Sequence, residues 1–145
     1  MQLKDIMTTD VEVIRPDSSI AEAAEKMRSL DVGSLPVCDG RRLLGMITDR
    51  DVTIRATASG SDPNKTMVRE CMTPELVYCF EDQNVNEAEK VMQEKQIRRL
   101  PVLTRDKQLT GIVSLGDLAT KTGDVQQVGR TVREISEPNP EGSSS

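Results

Sequence analysis

An internal duplication is the feature that most constrains this chain. Residues 7–37 align without a gap to residues 72–102. Each residue of the first copy matches the residue 65 positions later, as Met7 matches Met72. After one extra residue in a polar turn, residues 43–51 align to residues 109–117 in the same way. A repeat of about 60 residues buries too little surface to be stable alone. We therefore expect the two copies to pack together as one folding unit, with a pseudo-twofold cleft between them.

Each copy has the same order of predicted elements, namely strand, helix, strand, strand, helix. In the first copy, a strand over residues 11–14 precedes a helix that begins at the capping pair Ser19 and Glu22. Strands over residues 34–38 and 43–48 then form a hairpin, and a second helix runs from Thr48 towards Ala58. The first helix buries an apolar stripe at helical spacing, made of Ile20, Ala23, Ala24, Met27 and Leu30.

The second copy repeats this order, with Asn84 as the helix N-cap and a buried stripe of Val85, Ala88, Val91 and Met92. Alternation of this kind predicts an α/β (α+β) fold in which helices cover the sheets. We place the first repeat at residues 1–65, the second at 66–124 and a C-terminal extension at 125–145. Val132-Arg133-Glu134 repeats Val68-Arg69-Glu70 and predicts a short helical segment. The tail beyond it is expected to be disordered.

Composition excludes several classes of function. The chain has no histidine, which removes the commonest general base and metal ligand. Its three cysteines, Cys38, Cys71 and Cys79, form no metal-binding or disulfide pattern. A net charge of −5 and only two aromatic residues disfavour nucleic-acid binding. We expect neither an enzyme nor a metal or catalytic cofactor site.

The N-terminus and the hydropathy pattern bear on location. Residues 1–6 lack the basic and apolar regions of a secretory signal. The chain also lacks a run of about 18 apolar residues that would suggest a membrane span. We therefore expect a cytoplasmic protein.

Each repeat contains glycine, an apolar strand end, a hydroxyl residue, two variable positions and aspartate. These motifs end in Thr48-x-x-Asp51 and Ser114-x-x-Asp117. One interpretation is structural, because this spacing forms a capping box at a helix N-terminus. The other is functional: an aspartate can accept hydrogen bonds from a ribose diol, while the hydroxyl and free helix N–H groups donate to phosphate. Two copies facing one cleft favour the functional interpretation.

These motifs, the Met-Thr dipeptide that begins each repeat and the Leu-Pro-Val strand resemble the CBS (cystathionine-beta-synthase) domain family. The resemblance covers nearly the whole chain and is closest to stand-alone bacterial proteins with two such domains. It implies a CBS pair that binds AMP, ADP, ATP or a related adenosyl ligand, with Asp51 and Asp117 at the ribose and Thr48 and Ser114 near the phosphate. It also implies a homodimer, with the helices around Met27 and Met92 as its candidate interface.

Four further residues are candidates for ligand contact. Val13 and Val77 belong to the apolar segments expected beside a purine. In the resembled family, basic residues just before the Leu-Pro-Val strand reach phosphates, and here only the second repeat has them, as Arg98 and Arg99. Because adjacent strand residues point to opposite faces, we expect one of the two to enter the cleft. One site should therefore prefer charged phosphates.

Two functions of different class remain open from the sequence. The first is a regulatory sensor of an adenosine ligand, which acts on a partner protein that the sequence does not identify. The second is a ligand-free dimerisation or protein-interaction module, in which the motifs serve only as helix caps. A nucleotide hydrolase is a distant third, since Asp49 beside Asp51 is weak support for a metal site. The identity of the adenosyl ligand stays open.

Overall fold

Each repeat builds one amphipathic helix that starts at the predicted cap. Helix α1 (Ile20–Leu30) follows Ser19, whose Oγ accepts a hydrogen bond from the Glu22 backbone N–H at 3.1 Å. Helix α4 (Val85–Lys95) follows Asn84, whose side chain accepts from the Asn86 N–H at 2.9 Å. Most of the predicted stripe is buried, but Ala24 and Leu30 are exposed, so the buried stripe of α1 is narrower than the sequence indicated.

The strands form two small sheets. Strands β1 (Ser34–Asp39) and β2 (Arg42–Thr48) make the predicted antiparallel hairpin. Strands β3 (Cys79–Phe80), β4 (Arg99–Leu103) and β5 (Leu109–Ser114) make a three-stranded sheet with β4 in the middle and β3 parallel to it. The observed architecture is thus a mixed α/β fold, as predicted.

The strand predicted over residues 11–14 is reduced to a single parallel bridge between Ile14 and Val37. The Ile14 N–H donates to the Pro36 carbonyl at 3.0 Å, and the Cys38 N–H donates to the Ile14 carbonyl at 3.0 Å. The counterpart of Ile14 in the second repeat is Cys79, which does lie in a strand. Both repeats therefore pair the same two positions, Ile14 with Val37 and Cys79 with Val102. In the second repeat the pairing extends to a second residue pair.

Both hairpins run directly into helical segments. After β2, helix α2 (Asp49–Asp51) continues as a π-helix (Val52–Thr57), whereas helix α5 (Leu115–Lys121) after β5 is regular. The sequence predicted a helix here but not its π form. The two Val-Arg-Glu segments lie in helices α3 (Val68–Cys71) and α6 (Val125–Ser136).

The computed structural model describes residues 1–122 and 125–136, so the tail expected to be disordered lies outside the described residues. It divides into two units. The first-repeat unit consists of Glu12–Val77 with Lys107–Leu109. The second-repeat unit consists of Met1–Val11, Tyr78–Asp106 and the described residues from Thr110 onward. The residues that lead into each sequence repeat therefore fold with the other repeat's hairpin.

Each unit has its own buried core. In the first-repeat unit, α1 packs on the hairpin together with residues of α3. The members of this core include Ile20, Met27, Leu35, Val37, Ile47, Val68 and Cys71. In the second-repeat unit the fully buried residues include Leu3, Met92, Leu100, Val102, Val113 and Leu118.

Backbone pairing of the leading segments, residues 6–8 and 71–73, explains the glycine of each motif. Thr73 and Met46 exchange two backbone hydrogen bonds of 2.8 and 3.1 Å, and Thr8 and Ile112 exchange two of 2.8 and 2.9 Å. A Cβ atom on Gly45 would lie 2.4 Å from the Thr73 carbonyl oxygen, and one on Gly111 would lie 2.9 Å from that of Thr8. Only glycine permits this approach.

Gly45→Ala is expected to destabilise the protein by about 1 to 3 kcal/mol, because the added methyl overpacks against a backbone atom that is itself hydrogen-bonded. Gly129→Ala is the matched control: it lies in α6, where a Cβ meets nothing within 4 Å. It should raise stability slightly through helix propensity. Urea unfolding of both variants measures the difference, and equal stabilities would show that the close approach at Gly45 relaxes without cost.

Candidate functional site

The Thr48 and Asp51 motif forms a complete capping box where β2 turns into α2. The Thr48 backbone N–H donates to Asp51 Oδ2 at 2.9 Å, and the Asp51 N–H donates to Thr48 Oγ1 at 3.0 Å. Asp51 is only 8% exposed. The aspartate is therefore held rigidly at the junction, with one carboxylate oxygen committed to the cap.

The Ser114 and Asp117 motif has the same geometry where β5 turns into α5. The Ser114 N–H donates to Asp117 Oδ2 at 2.9 Å, and the Asp117 N–H donates to Ser114 Oγ at 3.1 Å. Asp117 is also 8% exposed. Both motifs thus form the predicted capping boxes. In each box the hydroxyl acts as an acceptor and keeps its own hydrogen, while Oδ1 of the aspartate stays outside the box.

A basic residue four positions after each aspartate faces this second oxygen. Lys121 Nζ lies 3.1 Å from Asp117 Oδ1, and Arg55 Nε lies 3.9 Å from Asp51 Oδ1. We did not single out either residue in the sequence, although an acidic residue followed by a basic one at i+4 is a recognised helical pair. Thr8 donates a hydrogen bond to Asp117 Oδ1 at 3.4 Å. The sequence pattern does not predict this contact, because the two residues are 109 positions apart.

The same two basic residues also bind the leading segments. Lys121 Nζ donates to the Ile6 carbonyl at 3.0 Å. Arg55 Nη1 lies 3.3 Å from the carbonyl oxygens of both Cys71 and Met72. Each cation therefore lies between the aspartate of its motif and the leading segment whose backbone pairs with the strand next to the motif's glycine. Lys121 does so for residues 6–8 and Arg55 for residues 71–73.

Arg98 and Arg99 occupy different environments. Strand β4 begins at Arg99, which is half-buried, whereas Arg98 lies in the preceding bend and is exposed. Strand alternation therefore does not decide which of the two arginines faces a ligand, because Arg98 is not in the strand, and that choice stays a prediction. The Arg98 carbonyl accepts a hydrogen bond from the Leu115 N–H at 3.1 Å, which puts Arg98 beside the start of α5 and the Ser114 motif.

Val13 and Val77 are half-buried and lie in the first-repeat unit, the unit that contains Thr48 and Asp51. The Val13 carbonyl accepts a hydrogen bond from Lys26 Nζ at 2.7 Å. Neither valine takes part in the capping boxes. Their contact with a purine stays a prediction.

The cysteines are buried thiols, as the composition indicated. Burial raises the pKa of Cys38 and Cys79 to about 11, so both stay protonated and unreactive near neutral pH. Within residues 1–122 and 125–136, no group of three or more cysteine, aspartate or glutamate side chains is arranged to hold a metal ion. In the same described part, the helices are all too short or too polar to span a membrane.

Comparison with known proteins identifies close relatives over nearly the full chain. The CBS domain protein YhcV of Bacillus subtilis is 41% identical over 137 residues, which cover 94% of this chain and 96% of that one. Hypoxic response protein 1 of Mycobacterium tuberculosis is 38% identical over 117 residues, or 80% of this chain and 81% of that one.

Solved structures give the same result. Hypoxic Response Protein I with two coordinated zinc ions has a TM-score of 0.77 and 37% identity, covering 83% of this chain and 98% of that one. CBSX2 in complex with AMP has a TM-score of 0.69 and 26% identity, covering 94% of this chain and 98% of that one. The model of the CBS domain matches twice, at residues 3–56 and 68–122. The resemblance inferred from the motifs is thus confirmed, and the chain belongs to the CBS domain family, of which it carries two copies.

Proposed function

We propose that this chain is a regulatory module that binds an adenosine-containing ligand at Thr48 and Asp51 and at Ser114 and Asp117, and that it is not an enzyme. One observation carries the proposal. Both motifs hold a buried aspartate in the same hydrogen-bonded geometry, with one carboxylate oxygen and one hydroxyl hydrogen left outside the capping box.

These leftover groups match the chemistry of a nucleoside. A carboxylate oxygen accepts hydrogen bonds from ribose hydroxyls, and such charge-assisted bonds are stronger than neutral ones. The hydroxyl hydrogen of Thr48 or Ser114 can then be donated to a phosphate oxygen. Val13 and Val77 are proposed to contact the purine, and Arg98 and Arg99 the phosphates.

The comparisons support the ligand class. CBSX2, which matches this chain over 94% of its length, has been solved in complex with AMP. AMP, ADP, ATP and related adenosyl compounds are therefore the proposed ligands. Since catalysis has no support in the motifs, we propose that the output is a change in a partner protein.

We further propose a cytoplasmic homodimer that binds neither membranes nor nucleic acids. The helices α1 and α4 stay the candidate interface, but Met27 and Met92 are buried in the cores of their own units. An interface on these helices would have to use their outward residues, such as Leu30, which is 41% exposed.

A ligand-free interaction module is the alternative, and the capping boxes favour it. Each aspartate and each hydroxyl already has a structural partner within its own motif. If the motifs act only as caps, their aspartates and hydroxyls contribute to the stability of the fold and not to ligand binding. The two functions therefore differ in whether loss of the aspartates affects binding as well as folding.

Asp51→Ala and Asp117→Ala are each expected to lower stability by about 0.5 to 2 kcal/mol through loss of a cap. Loss of the charged acceptor should also remove about 1.5 to 3 kcal/mol of binding free energy at the affected site. The double variant should therefore lose the AMP-induced rise in melting temperature, which for a ligand at 100 times its Kd corresponds to about 2.7 kcal/mol.

Ser19→Ala is the control, because the Ser19 hydroxyl caps α1 by accepting a backbone N–H, as the hydroxyls of Thr48 and Ser114 do, but belongs to neither motif. It should melt earlier and bind AMP like the parent in calorimetry. If the double aspartate variant binds AMP as well as Ser19→Ala does, the motifs are caps only and the alternative function holds.

Arg98→Ala or Arg99→Ala is expected to reduce affinity for ATP much more than affinity for adenosine, because the lost contacts are charge-assisted. The parent's preference for ATP over adenosine should also decline as salt concentration rises. Arg28→Ala, an exposed arginine of α1, serves as the control. An unchanged ratio of ATP to adenosine affinity in both variants would show that these arginines are surface residues without a role in binding.

The parent protein is expected to release no phosphate from ATP or AMP above the blank rate, with or without divalent metal. The reason is that the sequence has neither a histidine nor a phosphate-binding loop of the G-x-x-x-x-G-K-[ST] type. A coupled phosphate assay over several hours measures this. Metal-dependent turnover that Asp51→Asn abolishes would instead indicate a hydrolase.

A further inference from the structure

The two aspartates are equivalent in their caps but differ at the oxygen that a ligand would use. Asp117 Oδ1 already faces two donors, Lys121 Nζ at 3.1 Å and Thr8 Oγ1 at 3.4 Å. Of the residues that the structure describes, none donates a hydrogen bond to Asp51 Oδ1, and Arg55 lies 3.9 Å from it. The acceptor is therefore occupied in one motif and available in the other.

The positions of the two cations explain this difference. Lys121 has a second acceptor, the Ile6 carbonyl at 3.0 Å, which holds the ammonium in place beside Asp117. Arg55 directs Nη1 to the Cys71 and Met72 carbonyls at 3.3 Å, so its hydrogen bonds go to backbone and not to Asp51. Arg55 thus supplies charge near Asp51 without filling the lone pairs of Oδ1.

A second difference concerns the residues at the start of the following helix. In the second-repeat unit, the Arg98 carbonyl accepts from the N–H of Leu115, an uncharged residue. In the first-repeat unit, the Gly33 carbonyl accepts from the Asp49 N–H at 2.9 Å, and a Cβ on Gly33 would lie 3.3 Å from Asp49 Oδ2. Gly33 thus takes the place of Arg98, whereas the uncharged Leu115 and Gly116 are replaced by Asp49 and Arg50, whose opposite charges offset each other.

We infer that the two motifs take adenosyl ligands of different charge, an inference that rests on the proposed function. The Asp51 motif takes uncharged ribosides, because its acceptor is available and because Gly33 stands where the other motif has Arg98 to bind a phosphate. The Asp117 motif selects phosphorylated ribosides. There the ribose must displace Lys121 from Oδ1, and only a phosphate offers the displaced ammonium and Arg98 a new anionic partner. Lys121 is therefore the residue that excludes the plain nucleoside.

Calorimetry with adenosine and with ATP tests this on the full chain. Adenosine should bind the parent at one site per chain, and this binding should be lost in Asp51→Asn and retained in Asp117→Asn. Lys121→Met should raise the affinity of the Asp117 motif for adenosine by at least about tenfold, a factor equal to about 1.4 kcal/mol, so that a second adenosine site per chain becomes measurable. The same variant should weaken ATP binding. Arg28→Met, which removes an exposed cation of α1 outside both motifs, is the control and should leave the number of adenosine sites at one.

The outcomes separate this inference from the proposed function. If neither adenosine nor ATP binds the parent or any variant, the proposed function fails and the inference fails with it. If ligands bind but adenosine is lost in Asp117→Asn and kept in Asp51→Asn, or binds two sites equally in the parent, only the inference is overturned. Thermal melting checks that each variant is folded, and Lys121→Gln replaces Lys121→Met with the same expected result if the latter does not fold.

Discussion

The structure depends on two short backbone pairings, Thr73 with Met46 and Thr8 with Ile112. Each brings a leading segment within hydrogen-bonding distance of a strand, and the preceding strand residue must be glycine because a Cβ there would meet a carbonyl oxygen. The same approach brings the carbonyls of the leading segments within reach of Arg55 and Lys121. The glycine, the Met-Thr dipeptide and the basic residue of each repeat therefore form one structural arrangement, although they are far apart in the sequence.

Each aspartate motif divides its two carboxylate oxygens between two tasks. Oδ2 accepts from the backbone at the helix start, an interaction typically worth about 1 kcal/mol. Oδ1 is the group that a ligand would use, where a hydrogen bond to a charged acceptor contributes about 1.5 to 3 kcal/mol. In the free protein a cation faces Oδ1, which stabilises a charge that is almost fully removed from water. At Asp117, where Lys121 and Thr8 already contact Oδ1, stability of the free form and affinity for the proposed ligand therefore compete for the same oxygen.

The sequence predicted the parts of the fold that neighbouring residues make. The cap at Ser19, the first hairpin and the capping boxes follow from residues a few positions apart, so their spacing alone is informative. The contacts of Thr8 with Asp117 and of Ile6 with Lys121 join residues 109 and 115 positions apart, and local periodicity carries no information about such partners. The weak pairing of residues 11–14 was missed for a related reason, since strand formation depends on the neighbouring strand as much as on the residue pattern. Strand alternation was applied to Arg98 and Arg99 as a pair, but β4 begins at Arg99 and Arg98 lies in the preceding bend, so alternation does not separate their side chains.

Positions where the two repeats agree indicate what the fold requires, whereas positions where they differ indicate how the two motifs can differ in ligand preference. The matched residues, such as Gly45 with Gly111 and Asp51 with Asp117, maintain the backbone pairings and the caps, and changing them alters the fold. The unmatched positions around the motifs are exposed or half-exposed. Gly33 and Arg98 directly precede β1 and β4, whereas Asp49 and Leu115 begin α2 and α5. Substitutions there usually change stability by less than about 0.5 kcal/mol, yet they change the local charge by a full unit each. A duplicated fold can therefore acquire two sites of different ligand preference without losing the hydrogen-bonding framework that both repeats need.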